Sequence, residues 1–157
     1  MTLELNVNGR AVALDADETA PLLEVLRNGL GLRGSRFGCG LEQCGACMVL
    51  LDGEAVYACT LPAGAAAGRS VVTAEGLGTP EAPHALQAAF LAEQAGQCGY
   101  CLSGILISAK ALLDRNPDPS RAEIAAALDR NLCRCGAHNR IIRAVTRAAA
   151  ALRGSAA

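Results

Sequence analysis

Eight cysteines fall into two sets of four, and no other feature narrows the possible folds of this chain as much. The first set lies in "FGCGLEQCGACMVLLDGEAVYAC": Cys39, Cys44 and Cys47 crowd one glycine-rich stretch, and Cys59 follows after a gap of eleven residues. The second set is Cys98 and Cys101 in "QCGYC" with Cys133 and Cys135 in "CRCG". The opening "MTLELNVNGR" has no basic flank and no apolar core, so no secretory signal is expected there. On that reading the thiols point to metal or redox chemistry in a cytoplasmic protein rather than to structural disulfides.

The spacing C-x4-C-x2-C followed by a distant cysteine is the plant-type ferredoxin pattern for a [2Fe–2S] cluster. Four thiolates must converge on two irons, and the negative charge that collects on sulfur calls for backbone N–H donors. Gly38, Gly40 and Gly45 permit the unusual dihedrals and the close approach such a nest requires. Zinc sites usually pair two short spacings, which this set does not do. Arg33 and Arg36, just upstream, read first as solvated surface charge, with added positive potential as the alternative.

The second set is less specific. Cys98-x2-Cys101 with Cys133-x-Cys135 suits zinc or iron–sulfur, and Cys98 and Cys101 alone suit a redox dithiol. Residues two apart point to different sides of a helix, so "CRCG" reads as a loop between helices. "QCGYC" also lies between helical patterns. Two such loops meeting at one end of a bundle bring four thiols together.

The rest of the chain divides into a β half and an α half. Residues 2–14 read as a hairpin about Asn8-Gly9, with Leu5 opposite Val12 and Leu3 opposite Leu14. "APLLEVLRNGLG" reads as a short helix with Pro21 at its start and Gly29 at its end. A second hairpin turns at Asp52-Gly53, sets Val49 opposite Val56 and Ala46 opposite Cys59, and so carries Cys59 back beside Cys47. "RSVVTAEGL" supplies one more strand. After the linker at residues 76–83, four amphipathic stretches follow: "HALQAAFLAEQ", "LSGILISAKALLDRN", "SRAEIAAALDRNL" with a Ser120/Glu123 capping box, and "NRIIRAVTRAAAALR". The tail "GSAA" is expected to fray. The expected domains are 1–76 and 77–157, each with its own cysteine set and each sensitive mainly to loss of its own ligands.

Composition excludes several functions. Net charge is −1 with acidic and basic residues interspersed, and aromatics are 3% with no Trp, so a nucleic-acid surface is not expected. No apolar run is long enough to span a membrane. No Ser/His/Asp set, phosphate loop or carboxylate pair stands out, so no bond chemistry is expected on this chain. A content of 52% hydrophobic and 18% charged residues suits a permanent partner better than a free shuttle.

"GCGLEQCGAC…DG…C" followed by "QCGYC" and "NLCRCGAH" resembles the small iron–sulfur subunit of the molybdenum hydroxylases, the xanthine oxidase family. The resemblance covers roughly residues 2–150 and takes in all eight cysteines. "QCGYCLSGILISAKALLDRNPDPS" looks most like small subunits of the nicotinate dehydrogenase and isoquinoline 1-oxidoreductase type. Leu102-Ser103 stands where many members have Thr-Pro, a departure in the same direction. The resemblance implies an α+β fold: an N-terminal ferredoxin-like β-grasp domain, then a C-terminal four-helix-bundle domain, each with one [2Fe–2S] cluster.

The resemblance also implies a partner large subunit carrying molybdopterin, in its cytosine dinucleotide form. A flavin subunit or cytochrome c is then the electron acceptor. The cluster of Cys98, Cys101, Cys133 and Cys135 faces the molybdopterin, and that of Cys39, Cys44, Cys47 and Cys59 passes electrons onward. Gln97 matches the family glutamine that contacts the pterin, and Cys135 matches the cysteine nearest the pterin amino group. The implied substrate is an N-heteroaromatic such as nicotinate, with an aldehyde as alternative. The rival readings are a free-standing two-cluster ferredoxin and a zinc-stabilised binding module.

Some conspicuous residues get modest roles. His138 reads as structural or exposed, His84 as a helix-start residue and Tyr100 as a packing residue. Arg134 faces either a thiolate or a partner. Glu42 and Gln43 face solvent or the acceptor.

Overall fold

Two tight turns organise the first half of the chain in a computed structural model that describes residues 2–155. Asn8-Gly9 and Asp52-Gly53 all have positive φ (52°, 76°, 50° and 85°), the left-handed pair of a two-residue hairpin turn. The first turn joins β1 (Thr2–Val7) to β2 (Arg10–Asp15), pairing Leu3 with Leu14 and Leu5 with Val12 as the sequence predicts. The second joins β3 (Met48–Leu51) to β4 (Glu54–Tyr57), pairing Val49 with Val56. Strand β5 (Ser70–Val72) lies parallel to β1 and antiparallel to β3, giving the order β2-β1-β5-β3-β4. Helix α1 (Leu22–Glu24) follows Pro21 and widens into a π-helical turn, Val25–Gly29, closed by Leu30 N–H donating to the Val25 carbonyl at 3.1 Å.

The second half is helical: α2 (Ala85–Ala92), α3 (Leu102–Arg115), α4 (Arg121–Ala127) and α5 (His138–Ser155). Two caps match their sequence signals. Ser120 and Glu123 close a capping box on α4, with Ser120 N–H donating to the Glu123 carboxylate at 2.7 Å. His84 caps α2, its Nδ1 accepting from Leu86 N–H at 3.1 Å while Gln87 Oε1 accepts from His84 N–H at 2.8 Å. Helix α4 ends five residues before the periodicity does, because residues 128–132 turn away to reach the first cysteine loop. The tail expected to fray continues α5 through Ser155; Ala156 and Ala157 lie outside the described residues.

Each half has its own apolar core, and a third cluster joins them. Leu3, Leu5, Val7, Leu22, Leu26, Val49, Leu51 and Val71 pack between sheet and α1. Leu86, Phe90, Ile105, Leu112, Ile124, Ile141 and Val145 fill the helical bundle. Between them, Met48 and Leu50 of β3 meet Ile107 and Ala111 of α3. Strand side chains alternate faces, so β3 sends Val49 and Leu51 into one core and Met48 and Leu50 into the other. All four are buried. The linker is not loose: Leu77 packs on this seam.

The seam couples the halves. Ile107 is fully buried there, so Ile107→Ala should cost about 2–5 kcal/mol. The expected outcome in thermal melts is a joint lowering of the sheet and helix transitions. Loss confined to the helices would show that the seam carries no coupling.

Burial, followed by the Lys110 charge, lowers the His84 pKa, and its Nδ1 accepts only when the ring is neutral. A pKa lower in the folded than in the unfolded state means that the unfolded chain protonates first as pH falls. The stability from this cap is therefore present above the ordinary histidine value of about 6.5 and declines below it. Replacing the cap by His84→Asn should flatten the melting temperature against pH between about 5 and 7; an unchanged profile would exclude the cap as its source.

Candidate metal centres

The first cysteine loop is built as a cradle for sulfur. Cys39 Sγ accepts from the N–H groups of Leu41, Gln43 and Cys44 at 3.3, 3.3 and 3.4 Å, and Cys44 Sγ accepts from Cys39 N–H at 3.4 Å. The Leu41 N–H, then that of Gln43, brings the Cys39 thiol down to about 7. Gly38 lies so close to Cys44 that a Cβ there would stand 2.6 Å from its sulfur. On the far side, burial pushes the Cys47 thiol up to about 12, with Cys59 as its immediate neighbour. The β3–β4 ladder stops at Met48–Tyr57, two steps short of the Ala46–Cys59 pair expected by extending the register. The chain nevertheless returns Cys59 to Cys47, the juxtaposition the hairpin implied.

The second site joins three elements. Cys98 and Cys101 precede α3, and Cys133 and Cys135 lie between α4 and α5. Cys98 is exposed and its pKa is lowered, mainly by the Tyr100 N–H that donates to its sulfur at 3.4 Å. Burial pushes Cys101 up to about 12, with Cys133 beside it, and Cys135 adjoins Cys98. Gln97 Nε2 donates to the Cys135 carbonyl at 3.3 Å, so these two sequence-selected residues meet at the exposed edge of the site.

All eight cysteines are free thiols. Among the described residues, no group of three or more His, Cys, Asp or Glu side chains is placed to hold a metal ion. The thiols meet in twos instead: Cys39 with Cys44, Cys47 with Cys59, Cys98 with Cys135 and Cys101 with Cys133. Two thiolates for each of two irons is what a [2Fe–2S] cluster asks for, and N–H donors on sulfur suit its negative charge. The donor set therefore fits that cofactor. Ligation of Cys47 and Cys101, whose thiols desolvation holds protonated, would release their protons and couple assembly to pH.

The two loops touch. Leu132 N–H donates to the Cys44 carbonyl at 2.9 Å, and Asn131 Nδ2 to the Gly45 carbonyl at 3.3 Å. A Cβ on Gly104, in the first turn of α3, would meet the Gly45 carbonyl oxygen at 1.9 Å. Arg36 corrects the first reading of it as solvated charge: its Nη1 donates to the Gly99 and Tyr100 carbonyls at 2.6 and 3.1 Å. Tyr100, read as a packing residue, is half-exposed and its hydroxyl donates to the Phe37 carbonyl. His138 and Arg134 are exposed. No sequence pattern marks Asn131, Leu132 or Arg36 as contacts between the loops, because each acts across more than 60 residues.

Comparison with known proteins assigns each half to a family. Residues 5–71 match the family model for a 2Fe-2S iron-sulfur cluster binding domain, and residues 73–146 match that for a [2Fe-2S] binding domain. One of the subunits of nicotinate dehydrogenase from Pseudomonas putida is 54% identical over 148 residues, 94% of each chain. The alpha chain of isoquinoline 1-oxidoreductase from Brevundimonas diminuta is 50% identical over 94% of this chain and 97% of its own. Among solved structures, quinoline 2-oxidoreductase from Pseudomonas putida 86 superposes with a TM-score of 0.93 at 37% identity, covering 98% of this chain and 96% of that one. Aldehyde oxidoreductase from Desulfovibrio desulfuricans reaches 0.94 at 44% identity over 98% of this chain, but over only 17% of its own.

Fold and sites thus define an α+β iron–sulfur protein made of a ferredoxin-like half and a helical half. The chain belongs to the iron–sulfur small-subunit family of the molybdenum hydroxylases, and its role is electron transfer within an oxidoreductase of several chains.

Gly45 tests the junction. Its φ is +71°, and a Cβ would stand 2.5 Å from both the Arg130 carbonyl oxygen and Asn131 Nδ2. Gly45→Ala should cost at least about 1–2 kcal/mol from the left-handed backbone alone, and the purified protein should contain less iron. Full iron content with an unchanged melting temperature would mean that the loops do not depend on this contact.

Proposed function

We propose that this chain holds two [2Fe–2S] clusters and passes electrons singly from a molybdopterin centre in a partner large subunit toward a flavin or cytochrome acceptor. The reading is carried by the pairing of eight thiols, two and two at each of two sites whose loops touch. In it, Cys39, Cys44, Cys47 and Cys59 hold one cluster, and Cys98, Cys101, Cys133 and Cys135 hold the other. The domains are 1–76 and 77–157. A [2Fe–2S] cluster, when bound, takes up and releases one electron at a time.

The protein's own part is to hold and orient. The N–H groups of Leu41, Gln43, Cys44 and Tyr100 stabilise sulfur charge. Burial of Cys47, Cys59 and Cys133 excludes water from the inner side of each site. Gln97 and Cys135, joined by their hydrogen bond at the exposed edge, are the residues assigned to meet the pterin. Beside them lies an apolar cavity of about 840 Å³ whose lining includes Phe90, Leu91, Leu102 and Gln97, a seat for the large subunit.

An N-heteroaromatic such as nicotinate is the substrate class we assign to the complex, following the relatives at 54% and 50% identity. An aldehyde is the second reading, supported by the likeness to aldehyde oxidoreductases. The molybdopterin is assigned its cytosine dinucleotide form and the complex a cytoplasmic location. No helix among the described residues is long and apolar enough to cross a membrane.

Anaerobic purification from the native host with whatever binds the chain should yield about four irons per chain, about one molybdenum and a co-purifying large subunit. Iron without molybdenum or partner would favour a free ferredoxin; zinc in place of half the iron would refute the assignment of the helical site. Gln97→Ala should slow reduction of the clusters by substrate while leaving reduction by dithionite intact. Unchanged substrate reduction would remove Gln97 from the pterin contact.

A further inference from the structure

We infer that Arg36 is a positioning residue for electron transfer: it clasps the Cys98–Cys101 loop to the Cys39–Cys47 loop and gives the helical cluster a more positive reduction potential than it would otherwise have. The inference rests on the two-cluster reading above.

The clasp is reciprocal. The Arg36 backbone N–H donates to the Ala46 carbonyl at 3.0 Å, which fixes its main chain within the first loop. Its side chain crosses to the second loop, where Nη1 donates to the carbonyls of Gly99 and Tyr100 at 2.6 and 3.1 Å. Tyr100 answers in the other direction, its hydroxyl donating to the carbonyl of Phe37, the residue after Arg36. The Arg36 guanidinium carbon lies 5.3 Å from the centre of the Tyr100 ring, so the ring covers one face of the cation. Each loop thus sends one side chain to the other's backbone, and the two side chains stack where they pass.

The charge is directed. None of the ion pairs among the described residues includes Arg36. Its guanidinium therefore faces two carbonyls and a ring rather than a neutralising carboxylate. Gly99 and Tyr100 lie between the ligands Cys98 and Cys101, and the Tyr100 N–H points at Cys98 Sγ. A cluster gains negative charge on reduction, and a nearby cation, here half-buried and covered on one face by the Tyr100 ring, stabilises that state. The other arginine at the junction, Arg130, stacks on Tyr57 at 4.6 Å and donates to the Ala55 carbonyl, so its charge is directed to the sheet. The junction keeps further ties when Arg36 is changed: Leu132 to Cys44, Asn131 to Gly45, and the β3–α3 seam. Arg36 variants are therefore expected to fold.

The test is redox titration of the purified complex followed by electron paramagnetic resonance, with the two signals assigned through Cys59→Ser and Cys135→Ser, each perturbing one. Arg36→Gln keeps a hydrogen-bond donor and removes the charge; Arg36→Lys keeps the charge. The expected result is a more negative midpoint for the helical signal in Arg36→Gln, a much smaller shift of the other, and a wild-type midpoint in Arg36→Lys. Tyr100→Phe, which removes only the hydroxyl, should leave both midpoints in place. Equal shifts of both signals in Arg36→Gln, or none, with both at full intensity, would overturn the assignment. If Arg36→Gln loses the helical signal, Arg36→Lys decides: a wild-type midpoint supports the charge and a lowered one overturns it. A wild-type complex with a single iron–sulfur signal would bring down the two-cluster reading, and this assignment with it.

Discussion

The burial of β3 on both faces is the constraint from which the rest of the structure follows. A four-residue strand that sends alternate side chains into two cores cannot shift by one residue without exchanging Met48 and Leu50 for Val49 and Leu51. That register fixes where the chain enters β3, directly after Cys47, and where β4 delivers Cys59. It also fixes α3 against the sheet through Ile107 and Ala111, and with it the loop that ends at Cys101. Both cysteine sites are thus referred to one strand. Their separation is set by packed side chains rather than by a tether between domains.

Much of this was legible in the sequence where the signals are local. Asn8-Gly9 and Asp52-Gly53 demand left-handed backbone at both turn positions, so the hairpins and their registers follow. The Ser120/Glu123 pair and the helical spacing after residue 84 act within a few residues and read correctly. The cysteine spacing showed where thiols gather, since three lie within nine residues and a hairpin returns Cys59 to Cys47.

What was missed acts at long range. "MVLL" is a continuous apolar run rather than an alternating one, the mark of a strand covered on both faces. Read that way, it would have argued against separable halves. The early end of α4 has no local cause: residues 128–132 have helical composition, and they leave the helix because Leu132 and Asn131 find partners at Cys44 and Gly45. Arg36 read as surface charge because an arginine among glycines looks solvated. Its partners are carbonyls, which any residue supplies, so sequence holds no trace of them.

The same seam explains an otherwise costly surface. Phe37, Leu41, Tyr100, Leu132 and Leu91 are the large apolar side chains left exposed among the described residues. The first four sit in or beside the cysteine loops, and Leu91 lines the cavity next to Gln97. Covering them within this chain would need more chain folded over the loops, and that would bury the sulfur sites too deeply for electrons to enter and leave. A site that exchanges electrons with a neighbour must stay near the surface, and apolar surface suits a neighbour that stays. The low charge content, the exposed apolar groups and the shallow placement of Cys39 and Cys98 are therefore one design. The interior holds the two sites at a fixed spacing, and the rim leaves their outer sides for partners to cover.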